Sequence, residues 1–320
     1  MTPYSPDART KANFVRMCGE LACLLEVSAS PKPGNVHRFS DFADLRYEDF
    51  LASSVSLGYW LESLALKGYL LSCDQLSWDK LELGLTIRSA IEQSKFFHTR
   101  GNTNLGIILL FSPLAVAAGL SANENDFISL ECLIPNVQKV MARTTVQDSI
   151  HVSEGIAFLS PGGLGKVAKY DVTRSSYREE LLTDNVNLLQ LMSQCSERDN
   201  ICYELSNGFP IVVQIGFPTF RSVLESSQDV NLATINTYLT ILSKYPDSLI
   251  KRKFGVDQAN AISQRASSIM AIGGATTLEG RREIEAFDIE LREEEKLNPG
   301  TTADLVAATL FLHFLTGGKL

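Results

Sequence analysis

Asn298-Pro299-Gly300-Thr301-Thr302-Ala303-Asp304 runs directly into Leu305-Val306-Ala307-Ala308-Thr309-Leu310-Phe311-Leu312-His313-Phe314-Leu315. The first seven residues read as a polar turn, and the next eleven as a helix apolar on nearly every face. A helix apolar all round belongs in a protein interior. Thr301 is placed as an N-cap, and Asp304, three residues on, as the acid of a capping box. Free N–H groups and the helix dipole at such a buried start favour an anion. Gly101-Asn102-Thr103-Asn104-Leu105-Gly106 opens the apolar run 105–120 in the same way. Two such starts could direct two sets of donors at one polyanion, or could simply cap two core helices.

The rest of the chain is helical in period. Val15, Cys18, Leu21, Ala22 and Leu25 mark one face of a helix ending near Ser28, where Pro31 and Pro33 prevent its continuation. Further helices are expected at about 47–70, 78–97, 103–120, 134–143, 145–158, 177–195, 198–206, 219–226, 229–244, 256–272, 277–295 and 301–316. Only 210–215 is strand-like. No repeat of 20–50 residues appears, which argues against a solenoid. The glycine-rich stretch 161–166 is the best candidate for an internal boundary, yet no linker composition separates the halves. The expectation is an all-α fold: one large helical bundle of about a dozen helices spanning 1–320.

Composition narrows the function. The chain has 320 residues and a formal charge of −8, so a general nucleic-acid binder is disfavoured. The stretch 105–120 is broken by Ser112 and Pro113 and is short for a membrane span. The N-terminus has no apolar signal core. A cytoplasmic protein is expected. None of the six cysteines forms a CxxC pair, and free buried thiols are expected. The four histidines are scattered, which disfavours a His-based metal centre. Gly162-Gly163-Leu164-Gly165-Lys166 lacks the Walker spacing and a preceding strand, so a P-loop is rejected.

Several stretches could carry chemistry. In Ser30-Pro31-Lys32-Pro33-Gly34-Asn35-Val36-His37 two prolines stiffen the loop and Gly34 allows a tight path. Lys32 could meet a phosphate there or be a solvated lysine in a rigid turn. Lys251-Arg252-Lys253 could bind phosphates or form a solvated helix end. The acids Glu26, Asp41, Asp171, Asp199 and Asp304 each lie beside a loop or helix end. Carboxylates gathered beside a phosphate could hold magnesium, and one could act as general base.

Taken together, these stretches resemble the triphosphoribosyl-dephospho-CoA synthase family (ATP:dephospho-CoA triphosphoribosyltransferases) in the family's own order. Glu26 with Ser30-Pro-Lys-Pro-Gly-Asn-Val36 resembles its Pro-Lys-Pro-Gly signature, with Phe50 downstream. Asn102-Thr103-Asn104-Leu105-Gly106 resembles its Asn-Thr-His-Lys-Gly motif. Gly163-Leu-Gly-Lys166 with Tyr170-Asp171-Val172, then Asp199-Asn200, resemble its middle segments. Asn298-Pro-Gly-Thr-Thr-Ala-Asp-Leu305 resembles Ser-Pro-Gly-Gly-Ser-Ala-Asp-Leu. Asp247 to Lys253 is similar to divergent archaeal-type members. The likeness spans residues 20 to 315.

The resemblance implies a mainly helical transferase. It would move the triphosphoribosyl group of ATP to dephospho-CoA and release adenine, making the prosthetic group of citrate lyase or malonate decarboxylase acyl carrier protein. By this reading Glu26, Asp199 and Asp304 are catalytic. Lys32, Gly34, Asn35, Asn102, Thr103, Asn104, Gly106, Lys251, Arg252, Lys253, Asn298, Gly300, Thr301 and Thr302 bind substrate or phosphate. Glu26, Asp41 and Asp304 hold Mg2+ carried with ATP. The partners are small nucleotides, with neither nucleic acid nor membrane. Two departures stand out: the motif's His-Lys is Asn104-Leu105, and His37 replaces an aspartate. They point to a divergent branch with another acceptor, or to a non-catalytic helical protein that binds a nucleotide or phosphometabolite.

Overall fold

The computed structural model describes residues 6–98, 100–121, 128–164, 167–293 and 297–320. Among them lie fifteen α-helices and no named strand. They are α1 (Pro6–Ser28), α2 (Tyr47–Ser72), α3 (Leu83–Gln93), α4 (Leu105–Ser121), α5 (Leu130–Ala142), α6 (Val146–Leu159), α7 (Tyr177–Asp184) and α8 (Leu188–Cys195). There follow α9 (Asn200–Asn207), α10 (Phe217–Ser227), α11 (Val230–Lys244), α12 (Ser248–Phe254), α13 (Val256–Ala271), α14 (Leu278–Glu293) and α15 (Gly300–Leu315).

Helix α15 lies in the interior. Leu305 to Leu315 are all buried, as an all-round apolar sequence requires. It packs on α1, α4, α10 and α11. Phe311 stacks on Phe111 of α4 with ring centroids 4.4 Å apart. Helix α4 is equally apolar, and Ile107 to Gly119 are buried without interruption. Pro113 is accommodated inside it. The hydroxyl of Ser112 donates to the Ile108 carbonyl, 2.6 Å away. One buried apolar cluster runs from Ala12 to Leu315, and a smaller one joins Ile150, Tyr170, Leu181 and Val186.

Several expectations are corrected. Helix α15 begins at Gly300, so Thr301 is inside the helix and is no N-cap. Its start is instead held by Asp247, whose carboxylate accepts from the Thr302 amide at 2.7 Å and hydroxyl at 2.8 Å. The other oxygen of Asp247 caps α12, taking the amides of Leu249 and Ile250. One buried acid thus ties two helix starts together, and α12 itself was not anticipated. The strand-like 210–215 is helical and ends in a π-turn, Val212–Gly216. There the buried Glu204 carboxylate accepts from Ile211 N at 2.7 Å and Val212 N at 3.0 Å, which starts a helix on a β-branched run. The segment 177–195 is two helices, because Asn185 takes a left-handed conformation and Asn187 opens α8 with a capping box. In 78–97 a short 3-10 turn, Trp78–Lys80, precedes α3. Cys195 and Cys202 form a disulfide that clips α8 to α9, contrary to the expectation of free thiols, while Cys18 and Cys23 are buried thiols. Gly165 and Lys166 lie outside the described residues.

Candidate active site

The starts of α4 and α15 open into one pocket. Glu26, Asn35, Asn102, Thr103, Gly106, Asp199, Arg252, Asn298, Gly300, Thr301 and Asp304 line it, drawn from six separate stretches of chain. Ile156, Leu164, Val167, Leu191 and Met192 give it apolar lining as well. Apolar lining with a few convergent polar groups is the usual form of a small-molecule site.

Gly106 explains how the two starts meet. A Cβ there would sit 2.1 Å from Oδ2 of Asp304, so only glycine lets that carboxylate lie against the beginning of α4. Asn102 accepts from the Leu105 amide at 3.1 Å and caps the helix. The Asp304 carboxyl is pushed well above its usual range, first by burial and then by the nearby charges of Glu26, Asp247 and Asp199. It has no hydrogen bond among the described residues.

Glu26 is anchored from behind. Lys32 is completely buried, and its ammonium meets the Glu26 carboxylate and donates to the Glu26 carbonyl at 2.9 Å. Burial raises the Glu26 carboxyl and lowers the Lys32 ammonium, while their pairing opposes both shifts. Lys32 does not line the pocket, so it serves Glu26 rather than a phosphate. The loop carrying it is clamped by α14. The Gly34 amide donates to Asp288 at 2.8 Å, His37 lies 3.5 Å from the same carboxylate, and Arg292 donates to the Asn35 carbonyl. Gly34 has φ +69°, and a Cβ would lie 2.3 Å from the Leu297 carbonyl oxygen. The amide of Asn35 then reaches Asn298 at 2.8 Å, joining this loop to the start of α15.

Asp199 is committed elsewhere. One oxygen caps α9 through Ile201 N at 2.8 Å and Cys202 N at 3.2 Å, and the other pairs with Arg252. Nε of Arg252 is buried and unpaired in the protein. Asp171 lines the pocket but organises its own turn, taking the Thr173 amide at 3.0 Å and hydroxyl at 2.6 Å.

The remaining candidates fall outside the pocket lining. Asp41 is exposed and accepts from Tyr47 N at 2.8 Å. Thr302 is taken by Asp247, Lys251 donates to the Glu197 carbonyl at 3.3 Å, and Lys253 packs against Gly162 and Gly163. Asn104 is buried with its Nδ2 unpaired. Among the described residues no group of three His, Cys, Asp or Glu side chains is arranged to hold a metal. Arg198 lines the pocket and carried no sequence signal beyond its charge beside Asp199.

Known proteins share this architecture. Residues 12–319 match the sequence model of ATP:dephospho-CoA triphosphoribosyl transferases. The 2-(5''-triphosphoribosyl)-3'-dephosphocoenzyme-A synthase of Klebsiella pneumoniae is 25% identical over 94% of this chain and 90% of its own. A probable synthase of the same name from Citrobacter koseri is 26% identical over 91% of this chain and 87% of its own. The crystal structure of a provisionally named triphosphoribosyl-dephospho-CoA synthase from Archaeoglobus fulgidus superposes with a TM-score of 0.61 at 25% identity. That match covers 86% of this chain and 100% of the other. With the ordered motifs gathered in one pocket and the match running almost end to end, the chain belongs to the ATP:dephospho-CoA triphosphoribosyl transferase family.

Proposed function

We infer that this chain transfers the triphosphoribosyl group of ATP to dephospho-CoA and releases adenine. The observation that carries this reading is the meeting of Glu26 and Asp304 with Arg198, Arg252 and two helix starts in one pocket. In the reaction the bond from C1′ to adenine breaks. A bond from C1′ to an acceptor ribose hydroxyl forms, and the hydroxyl proton must leave. Positive charge develops at C1′, which a nearby carboxylate stabilises, as in the related glycoside chemistry. Glu26, held by Lys32, is the general base for the hydroxyl. Arg198, Arg252 and the Thr301 end of α15 receive the phosphates. The apolar lining takes the adenine or the pantetheine arm.

Asp304, open to the pocket and without a hydrogen bond, fits a magnesium ion carried on the triphosphate, since such ions commonly bind one or two carboxylates plus phosphates. The ion would neutralise phosphate charge there. Among the described residues no helix is long and apolar enough to cross a membrane, which accords with work on small nucleotides in the cytoplasm. Leu105, where the family motif has lysine, lines the pocket and favours a second reading in which the donor is kept and the acceptor differs.

The test is adenine release. Purified protein with ATP, magnesium and dephospho-CoA should liberate adenine on chromatography. Glu26→Gln and Asp304→Asn should each lower kcat by roughly 10²-fold or more. A folded protein that releases no adenine with any nucleotide acceptor would overturn the reading.

A further inference from the structure

Behind the start of α4 lies a chain of three buried polar side chains. The Ser53 hydroxyl of α2 is 2.7 Å from the Thr103 hydroxyl and 2.8 Å from Nε2 of His98. Nδ1 of His98 is 3.2 Å from the Arg100 carbonyl. Ser53 is 1% exposed, and Thr103 and His98 are 8% exposed. Of the three, Thr103 alone lines the pocket.

Donor and acceptor roles along this chain follow from its far end. A carbonyl only accepts, so Nδ1 of His98 carries the hydrogen. A neutral imidazole protonated at Nδ1 has a bare Nε2, which only accepts. Ser53 has one proton to give. Its neighbours are the Thr103 hydroxyl at 2.7 Å, Nε2 at 2.8 Å and the Ser94 carbonyl at 3.4 Å; the bare Nε2 has no other donor in reach, so Ser53 gives its proton there. Thr103 must then donate to Ser53. With its proton spent on Ser53, Thr103 has only oxygen lone pairs to offer a ligand.

Burial, first, and the neighbouring Lys95 hold His98 below its usual range, which keeps it neutral near pH 7. Asp49 opposes this and is itself paired with Arg100 at 3.2 Å. Lys95 donates to the carbonyls of Arg100 and Gly101 and closes the loop over the histidine.

The geometry points to Thr103 as a specificity residue: oriented by His98 through Ser53, it is a fixed hydrogen-bond acceptor that selects a ribose hydroxyl and turns away a phosphate oxygen. This rests on the transferase reading above, since both substrates bring ribose hydroxyls to the reacting centre. It also divides the pocket. The sugar lies at the Thr103 side of α4, and the phosphates lie toward Arg198, Arg252 and α15. His98 and Ser53 are positioning residues that touch no ligand.

The experiment compares binding of ATP, 2′-deoxy-ATP, 3′-deoxy-ATP, inosine triphosphate, dephospho-CoA and its 2′-deoxy and 3′-deoxy forms by calorimetry. Four proteins are used: wild type, Thr103→Val, Thr103→Ser and His98→Phe, each checked for an unchanged circular dichroism spectrum. In the wild type at least one deoxy ligand should bind about tenfold more weakly than its parent, equivalent to one lost hydrogen bond. That ratio should fall to near one in Thr103→Val and in His98→Phe, and return in Thr103→Ser. A purely structural role would weaken parent and deoxy ligands alike and leave the ratio standing, which overturns the inference. So does a Thr103-dependent loss seen only with inosine triphosphate, because the partner would then be an amine. If neither ATP nor dephospho-CoA binds the wild type, the transferase reading fails and takes this inference with it. If they bind but the ratios ignore Thr103, only the inference fails.

Discussion

Lys32 shows how one residue changes meaning on folding. Between two prolines it reads as a cation offered to phosphate. In the structure it is wholly buried and spent on Glu26. Removing one partner of a buried pair leaves an uncompensated charge, whereas replacing both can be neutral. Lys32→Met should therefore cost about 3–5 kcal/mol in urea unfolding. The double variant Lys32→Met with Glu26→Leu should regain most of that stability while remaining inactive. A single variant as stable as wild type would show that the pair does not anchor the site. Glu26 was legible as a candidate because it stands beside a motif. The partnership was not, because no spacing rule pairs a loop lysine with the last turn of the preceding helix.

Elements were read well where the apolar period was long, as in α1, α2, α4, α11 and α15. They were misread where a distant or off-period group decides the local backbone. The run Pro210-Ile-Val-Val-Gln-Ile215 becomes helical because Glu204 takes two of its amides. A short apolar run cannot be assigned by periodicity alone. Burial pushes the Glu204 carboxyl from an ordinary 4.5 up to about 8. Between those values the native state keeps a proton that the unfolded chain has lost, so stability falls as pH rises through this window. Below about pH 4.5 both states are protonated and the effect is absent. Glu204→Gln should flatten this part of the stability profile measured from pH 4 to 9. An unchanged slope would mean that Glu204 is ionised in the native state at neutral pH. Asp247 is the same lesson at a helix end, since it caps its own α12 and also α15, 55 residues away.

At the scale of the molecule, two apolar helices packed through Phe111 and Phe311 bring their polar starts together, and the site is where those starts meet. A ligand that binds only the native state raises the unfolding temperature by mass action. ATP with magnesium should therefore raise Tm, and Arg252→Ala should remove most of that rise without lowering Tm of the free protein by more than a few degrees. No shift with ATP at millimolar concentration would mean that the native protein does not bind it, and an undiminished shift in Arg252→Ala would place the phosphates elsewhere. The all-helical class, the two buried helices with polar starts, and the ordered motifs that mark the family are all legible in the order of residues. These depend on local period and on residues adjacent in the chain. Folding alone settles that Lys32 faces inward, that Asp199 is held by capping and Arg252, that Cys195 joins Cys202, and that Thr103 meets Ser53. Each of those depends on which polar groups are left facing one another once apolar surface is buried. A buried polar group must take the partner that packing supplies, and packing is a property of the whole chain.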